Sequence, residues 1–540
     1  MTTLLEPVLQ RDCDLLIIGG GINGVGIARD AAGRGLSVIL CEQHDLAQHT
    51  SSASTKLIHG GLRYLEQYEF GLVRKALQER ERLLRIAPHI VAPLRFVMPH
   101  DSGQRPAWLI RAGLFLYDHL ARRDLLPPSH AIALHSHIAG QDLQTAYRKG
   151  FVYSDGWVDD ARLVVLNALD ASERGATIMT ATRCVGAQRV GLRWQASLES
   201  GQSGRIEVSA RAIVNAAGPW VAQTAAGLSG RKSNHGMRLV KGSHIVLPRL
   251  FEHDYAYLFQ NPDRRIIFAI PFQRDFTLIG TTDLEYQGDP SQVTIDAAEV
   301  SYLCAMVNRY FKRQIGPQDV VWSYSGVRPL LDDSAQKAAE ITRGYQLECD
   351  AADGAAPLLN IWGGKITTYR KLAEEALALL LPRLGLPATL KTECWTAGTP
   401  LPGGDLQQPG ALITRYDFDA FQQQLASRYP WLPDELTRRY AHSYGSRTGR
   451  MLAGAQQMAD LGEQLVPGLF EREAAYLCEF EWARSVDDLL WRRTKLGLTS
   501  QPQHRARLQQ WLDQRRDQRQ DQPLAGSAGH PIAQFVEKCG

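Results

Sequence analysis

Asp14-Leu-Leu-Ile-Ile-Gly19 is the first unbroken apolar run of the chain. A short continuous run bounded by glycine is what a strand buried on both faces of a parallel sheet requires. Gly19-Gly20-Gly21-Ile22-Asn23-Gly24 follows, then an Ala-rich stretch, Val25 to Arg34, that reads as a helix stopped by Gly35. A second apolar run, Ser37 to Cys41, ends at Glu42, completing a β-α-β unit. Tyr68 to Ala87 has charge pairs at helical spacing and predicts a helix. Ala212 to Gly218 reads as a buried strand breaking into a glycine turn. Leu358 to Trp362 reads as another, followed by Gly363-Gly364 and a helix from about Thr368 to Leu381. Ile266 to Ile270 and Phe276 to Gly280 read as strands of a second sheet. Pro387 to Gly410, rich in Pro, Gly and Thr, reads as a linker. Leu412 to Leu512 is helix-like with little strand signal, and from Gln514 the polar composition predicts a frayed tail. No internal repeat is visible.

Composition narrows the class. Sixty Lys and Arg against 57 Asp and Glu leave a net charge of +3 over 540 residues, too little for a polybasic nucleic-acid surface. No apolar run is long enough to span a bilayer. The eight cysteines are scattered singly, with no CxxC pair, which is neither a zinc pattern nor a disulfide framework and suits a reducing compartment. The first residues lack a basic segment ahead of an apolar one, so no secretory signal is expected. A large soluble or peripherally attached globular protein is the class left, and such proteins are most often enzymes.

The chemistry starts at Gly19-x-Gly21-x-x-Gly24, between strand and helix, with Glu42 closing the second strand. The first glycine allows the tight turn, the second lets a pyrophosphate approach the backbone, and the third lets helix and strand pack closely. The helix N-terminus offers amide donors to the phosphates, and Glu42 suits ribose hydroxyls. Glu42 does not separate FAD from NAD. The N-terminal position, the hydroxyl-rich Thr50-Ser51-Ser52 loop and the Ala217-Gly218 turn lean towards FAD, although such a loop is also how a solvated turn reads. Three further clusters stand out: His59-Gly60-Gly61-Leu62-Arg63-Tyr64, Ser325-Gly326-Val327-Arg328-Pro329, and Gly363-Gly364-Lys365-Ile366-Thr367 running into a helix. Taken singly, each also reads as a turn carrying a solvated charge.

Together these segments resemble the aerobic, FAD-dependent glycerol-3-phosphate dehydrogenase family. The resemblance rests on IIGGGINGVGIARDAAGRGLSV, TSSASTKLIHGGLRYLEQYEFGLV, GWVDDARL, VNAAGPWV, LVKGSHIV, IGTTDLEY, YSGVRPL and GGKITTYRKLAEEAL. It implies an α/β plus α chain: a glutathione-reductase-like, Rossmann-type FAD-binding domain, discontinuous over 12–74, 151–243 and 340–385; an α+β, amino-acid-oxidase-like substrate domain over 75–150 and 244–339; a C-terminal helical domain over 386–513; and a flexible tail over 514–540. It implies FAD held by Gly19, Gly21, Gly24, Glu42, Thr50, Ser51, Ser52, Ala217, Gly218, Gly364, Lys365 and Thr367. His59, Lys365 and Arg328 are the implied catalytic residues, and Arg63, Tyr64, Arg328 and Thr282 the implied substrate contacts. No metal site is expected.

The implied reaction oxidises the C2 hydroxyl of sn-glycerol 3-phosphate to dihydroxyacetone phosphate by hydride transfer to FAD. A phosphate of about −1.5 to −2 charges calls for several cations, which Arg63 and Arg328 supply. His59 and Lys365 are alternative bases. The resemblance further implies ubiquinone as acceptor at the inner face of the cytoplasmic membrane, with peripheral or monotopic attachment, no nucleic acid, and allows a homodimer. The resemblance assigns the related glycerol-3-phosphate oxidases an insertion between Arg328 and Gly363, and the short interval here favours the dehydrogenase branch; the alternative is a same-fold FAD oxidase using oxygen or acting on another small hydroxy or amino substrate. Arg105 to Arg123, with Trp108, Leu109, Ile110, Leu114, Phe115 and Leu116 among its arginines, reads either as a membrane-surface helix or as a core helix with charged ends. Arg484 to Lys495 is a second basic-aromatic stretch.

Overall fold

The computed structural model describes residues 9–101, 103–201, 204–229, 236–263, 265–331, 344–351, 354–385, 390–406 and 418–520. Its described residues fall into two compact units, one within 1–86 and 91–399, the other within 87–90 and 400–540.

In the first unit the apolar runs pair as a parallel sheet core. Leu358–Gly363, Gly204–Asn215, Leu9–Ile18, Val38–Cys41 and Thr177–Met179 lie side by side in that order. The register sets Ile17 beside Val214 and Leu15 beside Val38. Leu15, Leu16 and Ile17 are wholly buried, as the unbroken run requires. The antiparallel strand Tyr345–Asp350 closes one edge, and the hairpin of Thr182–Val190 and Arg193–Ser200 branches from Gly204–Asn215. The helix Ile22–Gly33 lies against the helices Asp160–Glu173 and Tyr369–Leu380, and Arg29 is buried in an ion pair with Asp170 at 2.6 Å.

A second, ten-stranded sheet runs Leu284–Glu285, Met237–Pro248, Phe276–Gly280, Ile266–Phe272, Ala256–Gln260, Val91–His100, Lys149–Val158 and Leu57–Ile58. Trp322–Leu331 lies on Met237–Pro248, and His130–Ala133 on Lys149–Val158. Its pairings are antiparallel except that of Ala256–Gln260 with Val91–His100. Ile245, Leu247, Phe259, Ile267 and Ile279 form its buried face, against Leu303 and Val307 of the helix Ala297–Asn308.

The second unit is mainly helical: Phe418–Arg428, Asp434–Tyr444, Glu471–Phe480 and Pro502–Gln520 enclose Tyr440, Leu469, Tyr476, Leu477, Leu489 and Leu508. It also holds a small hairpin, Gln464–Val466 with Leu469–Phe470, too short to give a strand signal in sequence. The helix Pro502–Gln520 runs past Gln514, where composition alone predicts fraying; the rest of the expected tail, 521–540, lies outside the described residues. Of the linker expected over 387–410, only 390–406 is described. The Arg484–Lys495 stretch is not an open basic face: Arg493 is fully buried, donating to the Glu481 carbonyl at 2.6 Å, and Lys495 is buried too.

Candidate active site

The carboxyl ends of three parallel strands define a crevice, the position at which open α/β sheets take nucleotides. Gly19 leaves the first strand at φ +113°, and a side chain there would lie 2.5 Å from the Ala216 carbonyl oxygen. A Cβ on Gly24 would lie 2.0 Å from the Gly19 carbonyl oxygen. These two glycines are demanded by the protein itself. Gly21 differs: only the Ser51 hydroxyl, at 3.1 Å, stands near its missing Cβ, so the protein leaves the space beside it open. The Ile22 amide, in the first turn of the helix, donates to that hydroxyl at 3.0 Å.

Glu42 accepts from the Gly20 amide at 2.7 Å and the His44 amide at 2.9 Å, one on each oxygen. Each oxygen keeps a second lone pair for a ribose hydroxyl. Burial pushes its carboxyl up, opposed by those two amides. Thr50 donates to the Val327 carbonyl at 2.7 Å and Ser52 to that of His49 at 3.4 Å. The hydroxyl-rich loop is therefore pinned rather than solvated. Its far end is held by a buried ion pair, Lys56 to Asp160 at 2.7 Å, with Ser54 donating to the same carboxylate. On the third strand, Asn215 donates to Asn360 at 2.9 Å and accepts from the Ala217 amide at 3.4 Å, and Gly218 sits at φ +55° with open space beside it. Asn23 donates to the Gly363 carbonyl at 3.2 Å, tying the first helix to Gly364 (φ +103°), while its own carbonyl oxygen is buried without a partner.

The segments expected to meet the substrate make the following contacts. The His59 amide donates to the Thr367 hydroxyl at 3.3 Å, which joins the His-Gly-Gly segment to the turn after Lys365. Lys365 holds its ammonium 3.8 Å from the centre of the buried Tyr64 ring. Arg63 is half-buried in the same turn. Ala53 packs where a Cβ on Gly326 would stand, so the hydroxyl-rich loop and the Arg328 strand touch. Arg328 is ion-paired with Asp283 and donates to the Thr281 hydroxyl at 2.9 Å. Thr282 is turned away: it is fully buried, donates to Glu299 at 2.8 Å and accepts from the Ser243 amide at 2.9 Å.

Sequence reading passed over three residues here. Asn23 and Asp283 are two. The third, His244, is wholly buried, stacked on Tyr324 at 4.7 Å and 3.0 Å from the Thr55 hydroxyl. Burial drives its pKa well below the usual histidine value, with Arg328 and Lys56 adding to the effect. In the fold a Cβ on Gly280 of the neighbouring strand would lie 2.0 Å from its ring, a closeness that the Gly242-Ser243-His244 run does not announce.

The profile of the FAD dependent oxidoreductase family matches residues 14–370, and that of the C-terminal domain of alpha-glycerophosphate oxidase matches 394–517. The chain is 55% identical to a glycerol-3-phosphate dehydrogenase of Pseudomonas aeruginosa over 92% of this chain and 94% of that one. It is 48% identical to the D-erythritol 1-phosphate dehydrogenase of Brucella abortus, over 94% and 99%. It superposes with a TM-score of 0.73, at 26% identity and over 93% and 90% of the two chains, on the glycerol-3-phosphate dehydrogenase of Bacillus halodurans complexed with FAD. The crevice fits that cofactor: ligand space at Gly21, lone pairs on Glu42, and an unpartnered acceptor on Asn23 beside Gly364.

Proposed function

Because the chain belongs to the FAD-dependent oxidoreductase family and, within it, to the glycerol-3-phosphate dehydrogenases, we propose that it oxidises sn-glycerol 3-phosphate to dihydroxyacetone phosphate and delivers the electrons to a quinone at a membrane surface. The observation that carries this reading is the contact of the His59 segment with Thr367 and of Tyr64 with Lys365, together with the packing of the Thr50–Ala53 loop against the Arg328 strand.

FAD, when bound, supplies the acceptor for the hydride released at the carbinol carbon. The chain's own residues do the rest. Gly21, Ile22 and Ser51 would hold the pyrophosphate, Glu42 the ribose, and Ala217, Gly218, Gly364, Lys365 and Thr367 the flavin end. Arg63 and Arg328 bind the substrate phosphate, for which the planar guanidinium is suited by its paired donors. His59 takes the hydroxyl proton, and Lys365 polarises the same oxygen. FAD binding is assigned to 12–74, 151–243 and 340–385, and substrate binding to 75–150 and 244–339.

Membrane contact is supported by the helix Ala107–His119. Ile110, Leu114 and Tyr117 face inward, while Trp108 is 72% exposed and Phe115 57%, with Leu109 and Leu116 exposed beside them. The neighbouring turn adds Tyr68 at 80%, and two exposed arginines lie nearby, Arg105 paired with Glu66 and Arg122 paired with Asp124. A core helix would bury those aromatics; an interfacial one presents them to lipid. Among the described residues no helix is long and apolar enough to cross a membrane.

A second reading, a longer polyol phosphate as substrate, is favoured by the 48% identity to the D-erythritol 1-phosphate dehydrogenase. Comparing kcat/KM for sn-glycerol 3-phosphate, D-erythritol 1-phosphate and glycerol, with a soluble quinone as acceptor, tests both. The first reading requires the highest value for sn-glycerol 3-phosphate and little peroxide; peroxide formed one-for-one with substrate would place the protein among oxidases.

A further inference from the structure

The direction in which His59 leaves the backbone is set by the two peptide planes that flank it, since each plane is rigid and only φ and ψ of residue 59 lie between them. Both planes are held by side chains. The His59 amide, on the plane before, donates to the Thr367 hydroxyl at 3.3 Å. The Gly60 amide, on the plane after, donates to the Tyr117 hydroxyl at 2.8 Å, with an Asp155 carboxylate oxygen further off at 3.4 Å. Upstream, Leu57 and Ile58 are already fixed by pairing with Trp157 and Gly156.

The Tyr117 hydroxyl is itself fixed. It donates to Asp155 at 2.8 Å and 3.0 Å, and Asp155 is ion-paired with Arg80 at 2.6 Å, all three residues being buried. A phenol whose single proton points at a carboxylate can only accept from the Gly60 amide. The approach needs a glycine: a Cβ on Gly60 would lie 2.6 Å from that oxygen and 2.5 Å from Leu77. Tyr117 touches neither the substrate cations nor the cofactor glycines in any contact described above. Its side chain is nonetheless anchored by a three-residue buried polar network.

We infer that Tyr117, with Thr367, is a positioning residue: the two hydroxyls clamp the planes on either side of His59 and aim its imidazole at the hydroxyl to be deprotonated. The inference rests on His59 as the base. A misplacement of about 1 Å at a reacting group costs up to about 10²-fold, so loss of one clamp should cost about tenfold.

The test is a double-mutant cycle on the FAD-loaded protein, read as the anaerobic rate of flavin reduction at saturating sn-glycerol 3-phosphate. Tyr117→Phe keeps the ring and should slow reduction about tenfold, with FAD content and affinity for inorganic phosphate unchanged. In a His59→Asn background the same change should cost nothing further. The histidine ring-carbon NMR resonance that His59→Asn removes should shift in Tyr117→Phe. A wild-type rate in Tyr117→Phe, or an equal loss in both backgrounds, overturns the clamp. A wild-type rate in His59→Asn removes the base assignment, and the clamp falls with it, visibly for that separate reason. If Tyr117→Phe does not fold, Thr367→Val takes its place in the same cycle: it should slow reduction in the wild-type background and cost nothing further beside His59→Asn, and an equal loss in both backgrounds overturns the clamp.

Discussion

Arg328 is ion-paired with Asp283 and, through its other terminal nitrogen, donates to Thr281 at 2.9 Å. The cation assigned to the substrate phosphate thus has a carboxylate beside it in the free protein, and a phosphate dianion must bind against that negative charge. Arg328→Lys keeps the charge but loses the planar fork, so inorganic phosphate, assayed as a competitive inhibitor, should bind roughly tenfold more weakly. Asp283→Asn removes the opposing charge and should tighten phosphate by roughly fivefold, an effect damped by partial exposure to solvent. Equal weakening in both variants would mean that Asp283 orients the guanidinium instead of opposing the ligand.

The two kinds of glycine in the first turn should separate folding from cofactor binding. Gly24→Ala drives a methyl against the Gly19 carbonyl oxygen and should destabilise the protein by about 1–3 kcal/mol or more in a thermal or urea melt. In Gly21→Val the added Cβ meets only the Ser51 hydroxyl, so the protein should fold and yet lose its yellow colour. The wild-type flavin should pass entirely into the supernatant on acid precipitation. Colour left in the pellet would argue for covalent attachment.

Much of this was legible along the chain because strand and turn chemistry are local. The apolar run Leu15–Ile17 and the spacing of Gly19, Gly21 and Gly24 marked the nucleotide crevice, and the glycine pair at Gly363-Gly364 marked the start of the helix Tyr369–Leu380. What was not legible depends on side chains that meet across long sequence intervals. Thr281 and Thr282 are adjacent and alike in sequence; only the path of the backbone after the strand Phe276–Gly280 decides that Thr281 faces Arg328 and Thr282 faces Glu299. His244 reads as any strand histidine until Tyr324 and Thr55 arrive beside it. The helix Ala107–His119 was ambiguous because composition cannot say which apolar residues the fold leaves uncovered.

His244 also predicts a pH dependence. Its folded pKa lies well below the ordinary 6.5, so below about 6.5 the unfolded chain binds a proton that the folded chain refuses. The stability it contributes is complete above that value and is lost as the solution is acidified, by at most about 1.4 kcal/mol per pH unit. His244→Gln should flatten the fall of Tm between about pH 7 and 5. An unchanged slope would show that the buried ring does not titrate on unfolding.

Replacing Phe115 and Leu116 together by serine should leave the melting temperature nearly unchanged, since both side chains are exposed. Binding to vesicles containing anionic lipid should fall by about tenfold or more, from the apolar area withdrawn. Unfolding of this variant, or unaltered vesicle binding, would remove the helix from the membrane contact.

His59→Asn should slow flavin reduction by about 10²–10⁴-fold with FAD retained, and should abolish the acidic limb of its pH profile. Lys365→Met should slow reduction but keep that limb. The reverse pattern would exchange the roles of the two residues.

The most direct measurement is an anaerobic titration of the yellow protein with sn-glycerol 3-phosphate, followed by the visible absorbance of the flavin. One equivalent per FAD should bleach the band, with dihydroxyacetone phosphate recovered in the same amount, and a soluble quinone should restore the colour. A spectrum that sn-glycerol 3-phosphate leaves unchanged, while dithionite bleaches it, would contradict the proposed reaction.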